Sequence, residues 1–195
     1  MENFPWVQYY EKTKDSVPNK LLEVAVEYVP HQGDALDLGA GAGRDSIFLA
    51  EKGFQVTAVD ENPSSVDFFK TIGNEKIKFV PASFLDFEFE EGKYDIISAQ
   101  NSLMFIQDPE DLKILVGKML TALKPSGVFT ANFSGTNDSW KQTEPVKMTF
   151  LEKTEIEEMF KDTEIIKCQE IENDQPTVRG NPHHVHNIFV VARKR

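Results

Sequence analysis

The amino-acid sequence predicts an α/β fold built on a doubly wound, mostly parallel sheet of seven strands. Short apolar segments alternate with segments of helical periodicity, as expected for parallel strands joined by crossover helices. A glycine-rich turn at residues 39–43 follows the first apolar strand segment. The last two strand-like segments, 164–172 and 184–193, predict a closing hairpin around residues 173–182. Right-handed crossovers place the ends of the parallel strands at one edge of the sheet, where such folds bind ligands.

The first half of the chain predicts three helices and three strands. In order, they are a helix at 18–29, a strand at 35–39, a helix at 46–53, a strand at 55–60, a helix from 62 to 73 and a strand at 77–80. Asn62 and Pro63 mark a helix start, because asparagine caps free N–H groups and proline fits the first turn. The acidic segment 86–92 is expected to be a loop.

The second half continues the same alternation. In order, we expect a strand at 95–99, a helix from 108 to 123, a strand at 128–133, a long loop at 134–149, a helix at 152–161 and the two hairpin strands. Apolar residues recur at helical spacing from Leu112 to Leu123. The polar turn Lys124–Gly127 ends that helix.

Length and charge restrict the classes of function. The 195 residues fit one domain, 1–195, which can bury a sizeable core. Lys and Arg number 21 against 32 Asp and Glu, and the formal net charge of −11 repels phosphate backbones. No segment approaches the apolar length of a membrane span. We therefore expect a small-molecule substrate and neither a nucleic-acid nor a membrane partner, while the oligomeric state stays open.

The single cysteine and the N-terminal segment predict a compartment. Cys168 has no second cysteine to pair with, and its apolar surroundings in the sequence predict a buried, inert thiol. Residues 1–6 lack the basic start and the apolar run of a signal peptide. Both observations fit the reducing cytoplasm.

The glycine turn and its surroundings predict a site for a nucleoside cofactor. Glycine lets the backbone turn tightly and lets a ligand approach the main chain. Asp60 ends the second strand, where a carboxylate can accept hydrogen bonds from both ribose hydroxyls. Asp37 precedes Gly39 by two residues, and a carboxylate there repels a diphosphate but attracts a sulfonium or an ammonium group. S-adenosylmethionine carries both features and is the predicted cofactor.

Three other interpretations of this segment stay open from the residues alone. The first is a nucleotide-dependent oxidoreductase, although Arg44 stands where the dinucleotide fingerprint G-x-G-x-x-G has its third glycine. The second is a protein that senses S-adenosylmethionine without chemistry. The third is a glycine turn that only connects a strand to a helix.

These residues resemble the Rossmann-like S-adenosylmethionine-dependent methyltransferases and, more narrowly, the tellurite-resistance methyltransferase group. The segments that carry the resemblance are Leu36–Gly43, Leu38–Ser46, Asp60, Tyr94–Ile97, Leu103–Ile106, His184–His186 and Val190–Lys194. The resemblance implies one methyltransferase domain with an antiparallel closing hairpin and transfer of a methyl group to a small molecule. Ala40 stands where the family often has cysteine, and Ser83 where an acidic residue is common.

The predicted cofactor-binding residues are Asp37, Gly39, Ala40, Gly41, Arg44, Asp60, Glu61, Ser83, Phe84, Ala99 and Gln100. Within this set we expect Gly39, Ala40 and Gly41 to offer backbone contacts to the methionine end. Asp37 is expected to hold its ammonium group and Arg44 its carboxylate. The resemblance places Ser83 and Phe84 beside adenine, with a core phenylalanine as the alternative for Phe84.

The acceptor side of the site is less sharply predicted. Asn101 at the end of the fourth strand and His186 in the family-like tail are the candidate catalytic residues. Residues 1–17, with Trp6, Tyr9 and Tyr10, are a candidate cover or an anchor on the core, and 134–150, with Trp140, is a candidate lid loop. A thiol, selenium or tellurium nucleophile suits the absence of an obvious acid–base pair, with an oxygen or nitrogen acceptor as the alternative. No metal site is predicted, because the histidine cluster at 183–186 has no cysteine or acidic pair at a suitable spacing.

Overall fold

The computed structural model describes residues 6–142, 147–177 and 180–195. Its helices are α1 Trp6–Thr13, α2 Lys20–Glu27, α3 Arg44–Glu51, α4 Pro63–Ile72, α5 Pro109–Ala122 and α6 Lys153–Met159. Its strands are β1 Asp34–Leu38, β2 Gln55–Asp60, β3 Ile77–Pro81, β4 Tyr94–Ala99, β5 Leu123–Gly135, β6 Phe150–Leu151, β7 Thr163–Pro176 and β8 Pro182–Lys194. Short 3-10 turns occupy Leu103–Phe105 and Ser139–Gln142.

The strands form one sheet in the order β3-β2-β1-β4-β5-β8-β7. Strands β1 to β5 run parallel, whereas β8 is antiparallel to both β5 and β7. This confirms the predicted fold class of a mostly parallel sheet closed by an antiparallel hairpin. The reversal of strand order between β1 and β4 creates a crevice at the carboxyl ends of these strands, which is where such sheets bind ligands.

Part of the segment predicted as a long loop at 134–149 has regular secondary structure, which is a correction. Strand β5 continues to Gly135, and the two-residue strand β6 pairs in parallel with Ser134 and Gly135. Within the described residues, the sheet therefore has eight strands, of which β6 was not predicted. Thr149 also anchors this segment, because its N–H donates to the carbonyl of Met104 at 2.9 Å. Such a short strand carries too few residues to show an alternating pattern in the sequence.

The closing hairpin is longer than predicted. Asn173 and Asp174 belong to β7 rather than to the turn, and Asp174 pairs with His184 across the ladder. Polar residues of this kind usually indicate a turn. Here β7 is the edge strand and most of its side chains are exposed, so polar residues are compatible with the strand.

Local sequence signals start and stop the helices that surround the crevice. The side chain of Asn62 accepts the N–H of Ser64 at 2.9 Å at the start of α4, and Gly73, at φ +59°, ends it. Asp108 caps α5 by accepting the N–H of Glu110 at 2.8 Å. These caps satisfy N–H groups that would otherwise lack partners.

The core lies on both faces of the sheet. Helices α5 and α6 pack apolar residues such as Leu115 and Ile156 on one face, and α2 and α3 pack Leu22 and Leu49 on the other. Strand β1 contributes Leu36 to the first of these clusters, with no exposed surface. The rigid sheet holds the strand ends, and therefore the crevice, in position. Among the described residues, no helix combines the length and the apolar character needed to cross a bilayer.

Candidate functional site

A cavity of about 1030 Å³ opens at the carboxyl ends of the parallel strands. Its wall comes from the residues that follow β1, β2, β3 and β4, from α1, and from the segment between β4 and α5. The wall includes Trp6, Tyr9, Tyr10, Asp37, Gly39, Ala40, Gly41, Arg44, Asp45, Asp60, Glu61, Ser83, Phe84, Leu85, Gln100, Asn101, Ser102, Phe105, Ile106, Asp108 and Asp111. Ten of the eleven predicted cofactor-binding residues lie in this wall. The exception is Ala99, whose side chain is fully buried in the core.

The turn after β1 requires glycine at two positions. Gly39 has φ +84°, and a Cβ atom there would lie 2.3 Å from Cβ of Ser102. Gly41 has φ +54°, and a Cβ atom there would lie 3.0 Å from the ring of Tyr10. The hydroxyl of Ser102 donates to the carbonyl of Leu38 at 2.8 Å and so ties the end of β4 to the turn. The main chain is thereby brought directly to the cavity surface.

Three N–H groups at the start of this turn are already used inside the protein. Those of Gly39 and Ala40 donate to the carbonyl of Val59 at 2.8 and 3.1 Å, and that of Gly41 donates to Oδ2 of Asp60 at 2.8 Å. Phosphate-binding turns instead point free N–H groups at the ligand. These three residues therefore do not form a phosphate cradle, and this part of the wall does not suit a diphosphate.

Asp60 is held rigidly at the end of β2. Each of its carboxylate oxygens accepts one backbone N–H, from Gly41 and from Asn62, both at 2.8 Å. Burial raises the pKa of the carboxyl group, while these two hydrogen bonds oppose that shift. A carboxylate oxygen can accept a further hydrogen bond. The group can therefore bind two neighbouring hydroxyls without moving.

Asp37 is the next-to-last residue of β1, and its carboxyl group is buried. The hydroxyl of Ser46 donates to its Oδ2 at 2.6 Å. Burial, followed by the charge of Asp45, raises the pKa of Asp37 to about 7. Such a group gains most from a positive charge placed beside it, because that charge supports the ionised form.

Arg44 is the first residue of α3, and its guanidinium group forms an ion pair within the protein. Its Nε and one terminal nitrogen donate to the two carboxylate oxygens of Asp45, each at 2.8 Å. Such a bidentate pair is geometrically specific and neutralises the guanidinium locally. The structure therefore leaves Arg44 at the cavity but gives it a partner other than the predicted methionine carboxylate.

The residues after β4 form a polar network at the cavity. Asn101 adopts φ +53°, an uncommon conformation for a residue with a side chain. Buried Asn132 holds it there, because its Oδ1 accepts the N–H of Asn101 at 2.6 Å and its Nδ2 donates to Oδ1 of Asn101 at 3.0 Å. Gln100 is 6% exposed, and its Oε1 has no hydrogen-bond partner among the described residues. An unpaired buried acceptor is costly, so this atom is suited to a donor on a ligand.

The remaining predicted contact residues, Glu61, Ser83 and Phe84, differ in their exposure and in their contacts within the protein. Glu61 is exposed at the rim of the cavity. The hydroxyl of Ser83 donates its hydrogen to Asp86 at 2.7 Å, so towards a ligand this hydroxyl can only accept a hydrogen bond. Phe84 is half-buried, and its ring approaches the turn at Gly39. Phe84 can therefore pack on a flat ligand in the cavity while it supports the turn.

Helix α1 lies against the cavity. The ring of Trp6 contacts that of Phe105 with centroids 5.4 Å apart and that of Tyr10 at 5.6 Å, which joins α1 to the 3-10 turn after β4. Trp140, in the candidate lid, instead stacks on His183 at 4.3 Å. The described residues of 134–150 do not belong to the cavity wall, and the lid residues 143–146 lie outside the described part of the chain.

His186 lies away from the cavity, which corrects its predicted place in the pocket wall. The side chain is fully enclosed, and its Nδ1 accepts the N–H of Asn137 at 3.0 Å. A backbone N–H can only donate, so Nδ1 carries the lone pair and Nε2 carries the hydrogen, which it donates to Glu170 at 2.7 Å. Both ring nitrogens therefore serve the packing of the hairpin.

The strand register also corrects the argument against acidic neighbours of the histidines. Glu170 and Glu172 reach Nε2 of His186 from β7, at 2.7 and 3.7 Å, and the three groups have metal-ligand spacing. A ligating nitrogen must present a lone pair and usually donates its other N–H to an acceptor. His186 has the opposite arrangement, so the structure favours a hydrogen-bonded cluster here.

Several cavity residues were not predicted from the sequence. Asp45 and Leu85 are two of them, and five others follow β4: Ser102, Phe105, Ile106, Asp108 and Asp111. These five lie before or at the start of α5, so the rule that sites lie beyond the ends of parallel strands could have identified them. Asp108 was predicted only as the start of a helix, which it caps.

The chain is similar to known proteins both in sequence and in fold. A model of the family described as tellurite resistance protein TehB matches residues 6–182. A curated relative, the probable S-adenosyl-L-methionine-dependent methyltransferase TehB of Haemophilus influenzae, is 25% identical over 164 residues, which cover 82% of this chain and 57% of the relative. The crystal structure of TehB from that species superposes with a TM-score of 0.78 at 22% identity and covers 96% of this chain and 66% of the solved one.

A second solved structure shares the fold. It is the N-methyltransferase NodS of Bradyrhizobium japonicum in complex with S-adenosylhomocysteine, with a TM-score of 0.68, 16% identity and coverage of 99% of this chain and 89% of the other. The chain spans 42% of the length of a second curated relative, the putative methyltransferase YqeM of Bacillus subtilis, and 57% of that of the Haemophilus relative.

Proposed function

This chain belongs to the TehB family, and we propose that it is an S-adenosylmethionine-dependent methyltransferase with a small-molecule acceptor. The observation that carries the proposal is the acidic wall of the cavity, in which Asp37 and Asp60 lie on either side of a turn whose N–H groups at Gly39, Ala40 and Gly41 donate to other groups of the protein. This arrangement favours a cationic nucleoside over a diphosphate. It therefore disfavours the alternative of a nucleotide-dependent oxidoreductase.

The residues present fit S-adenosylmethionine as the cofactor. Asp60 would hold the ribose hydroxyls, and Asp37 would hold the ammonium group. A Cβ atom at Gly39 or Gly41 would meet Ser102 or Tyr10, so the two glycines allow the shape of the turn that lines the cavity. The bound cofactor supplies a methyl group on a sulfonium, which is already activated towards a nucleophile. The chain's own task is to bind, orient and exclude water.

The acceptor is a small nucleophile that needs little help from a base. The described residues of the cavity wall include no histidine, lysine or cysteine. A thiol, selenium or tellurium atom suits such a site, since soft nucleophiles react without strong proton removal. Asn101, held by Asn132, lies in the wall and would orient the acceptor with its amide group.

Helix α1 supports a role as cover. Its contact with Phe105 bridges two sides of the cavity, and the aromatic side chains would keep water from the reacting atoms. Residues 1–17 are therefore proposed as an N-terminal cover of a single domain, 1–195. A cytoplasmic location is part of the same proposal and fits the single free cysteine.

Two measurements test the proposal. Calorimetric titration with S-adenosylhomocysteine should show one site per chain, and the ligand should raise the melting temperature, since it binds the folded state. Transfer of labelled methyl groups to a panel of thiols, selenols and small amines should then identify an acceptor. A folded protein that binds neither cofactor form would refute the assignment, and one that binds cofactor without any transfer would be a sensor.

A further inference from the structure

We propose that Asn132, which lies outside the cavity wall, is a positioning residue for the cofactor site and acts through Asn101 to hold Ser102 on the glycine turn. The proposal rests on the proposed function and concerns the same site. It follows from three observations: a buried polar side chain in the middle of the sheet, an uncommon backbone conformation that this side chain supports, and the contact of the next residue with the turn.

Strand β5 carries polar side chains where its place in the sheet favours apolar ones. It pairs with β4 on one side and with β8 on the other, and Thr130, Asn132 and Ser134, which share one face, are almost completely buried. Strands that are buried on both faces usually have continuous apolar sequences, and a buried amide is costly unless it is hydrogen-bonded. No described residue of β5 belongs to the cavity wall. Asn132 can therefore affect the cavity only through the residues that it contacts.

The amide group of Asn132 binds Asn101 at two points. Its Oδ1 accepts the N–H of Asn101 at 2.6 Å, which fixes the orientation of the amide because a backbone N–H can only donate. Its Nδ2 donates to Oδ1 of Asn101 at 3.0 Å and to Oδ1 of Asn187 on β8 at 3.4 Å. Asn132 is therefore bonded both to a residue of the cavity wall and to a residue of the closing hairpin.

The backbone of Asn101 needs this support. Its φ of +53° lies in the left-handed region, which is unfavourable for a residue with a side chain, although asparagine tolerates it better than most residues do. Asn101 is exposed, so burial of its side chain does not fix this conformation. Without the two hydrogen bonds to Asn132, the residue would be free to return to negative φ, and the chain after β4 would leave the sheet in another direction.

The left-handed conformation of Asn101 directs the next residue onto the glycine turn. Ser102 is buried, packs against Gly39 and donates its hydroxyl to the carbonyl of Leu38 at 2.8 Å. The carbonyl of Ser102 accepts the N–H of Phe105 at 3.1 Å, which begins the 3-10 turn of the cavity wall. A change of backbone at Asn101 would therefore remove a support of the glycine turn and displace the wall segment that follows β4.

Calorimetric titration with S-adenosylhomocysteine tests the proposal. In Asn132→Leu, which keeps the branched shape and removes both hydrogen bonds, we expect about tenfold weaker binding, because a less populated binding-competent conformation lowers the apparent affinity. Ser134→Ala, on the same face of β5, is the matched control and should bind as the wild type does. If leucine prevents folding, Asn132→Ser removes the same contacts with a smaller side chain. Wild-type affinity in a folded Asn132 variant would overturn the proposal.

Glycine at position 101 separates positioning from a general effect on the fold. Glycine adopts positive φ readily, so the Asn101→Gly background depends much less on the hydrogen bonds from Asn132. Adding Asn132→Leu to this background should weaken binding of S-adenosylhomocysteine at most about twofold, against about tenfold in the native background. An equal loss in both backgrounds would show that Asn132 does not act through Asn101 and would overturn the proposal.

Hydrogen exchange of the ligand-free protein gives a measurement that does not depend on the cofactor. In Asn132→Leu, exchange at the N–H groups of Asn101 and Phe105 should accelerate about fivefold more than exchange in α6, because local opening affects only the segment that has lost its support. Equal acceleration in both places would indicate a general loss of stability and overturn the proposal. Failure of the wild type to bind S-adenosylhomocysteine would refute the proposed function, whereas the exchange pattern would still decide whether Asn132 positions the segment after β4.

Discussion

Replacing Asp37 with asparagine should strengthen the fold of the ligand-free protein and weaken its binding of S-adenosylhomocysteine. Burial raises the pKa of this carboxyl group from 3.8 to about 7. The folded state therefore favours the neutral form, whose contribution to stability is full below the unfolded pKa and is lost as the pH rises towards 7. The difference corresponds to at most about 4 kcal/mol of unfolding free energy at pH 8.

The amide in the Asp37→Asn variant cannot ionise, so the variant should escape this loss while the amide oxygen still accepts the hydroxyl of Ser46. In thermal melts at pH 8 we expect its melting temperature to rise by about 5 °C or more, given about 2–4 °C per kcal/mol for a domain of this size. At pH 4.5 the two proteins should melt much closer together. The difference between the two pH values is the signature of the buried charge.

Binding should change in the opposite direction. A hydrogen bond between a carboxylate and the ligand's ammonium group accounts for about 1.5–3 kcal/mol, so Asp37→Asn should lose about tenfold to a hundredfold in affinity. In the wild type, affinity should increase from pH 6 to pH 8 as Asp37 ionises, and in the variant it should be nearly flat.

Ser46→Ala provides the matched control, because it keeps the carboxyl group and removes the hydrogen bond that lowers its pKa. Its pH dependence of binding should shift to higher pH. The reasoning is refuted if Asp37→Asn binds S-adenosylhomocysteine as the wild type does, or if the ligand-free variant melts lower than the wild type at pH 8.

Three further substitutions, one of them with a matched control, test Asp60, the glycine turn and His186. Asp60→Asn should weaken S-adenosylhomocysteine binding about tenfold in calorimetry, since an amide nitrogen cannot accept a ribose hydroxyl and one backbone N–H also loses its acceptor. Gly39→Ala should abolish binding, because the new Cβ meets Ser102 at 2.3 Å, whereas Gly117→Ala in the open middle of α5 should bind normally and gain about 0.5–1 kcal/mol in urea unfolding. His186→Ala should cost about 2–4 kcal/mol in the same unfolding assay and leave the calorimetric affinity for S-adenosylhomocysteine unchanged, and a loss of affinity would return this residue to the site.

The part of the cavity wall around the glycine turn was largely predictable from local sequence. Asp37, the glycine turn and Asp60 lie within a single strand–turn–helix–strand unit, so their spacing along the chain determines their spacing in the fold. The part of the wall that follows β4 was not predictable in this way. Phe105, Ile106 and Asp111 reach the wall through the path of the segment between β4 and α5, and this path depends on Ser102 packing against Gly39 rather than on a local pattern.

The position of His186 in the hairpin could not be predicted from the sequence either. The His-x-His pattern indicated a residue of the cavity wall. In the structure, the register of β7 and β8 places Glu172 opposite His186, and the imidazole lies against β7. Register follows from pairing between distant segments, which no window of sequence contains.

The sequence by itself determined the order of strands and helices, except for α1 and β6, and the identity of the carboxylates beside the glycine turn, because apolar periodicity, caps and glycine conformation act over a few residues. Only the tertiary structure decided which N–H groups the turn keeps for itself, that Arg44 is occupied by Asp45, and that acidic side chains from α5 join those of β1 and β2. These facts concern groups far apart in the chain, and only packing brings their charges within reach of one another.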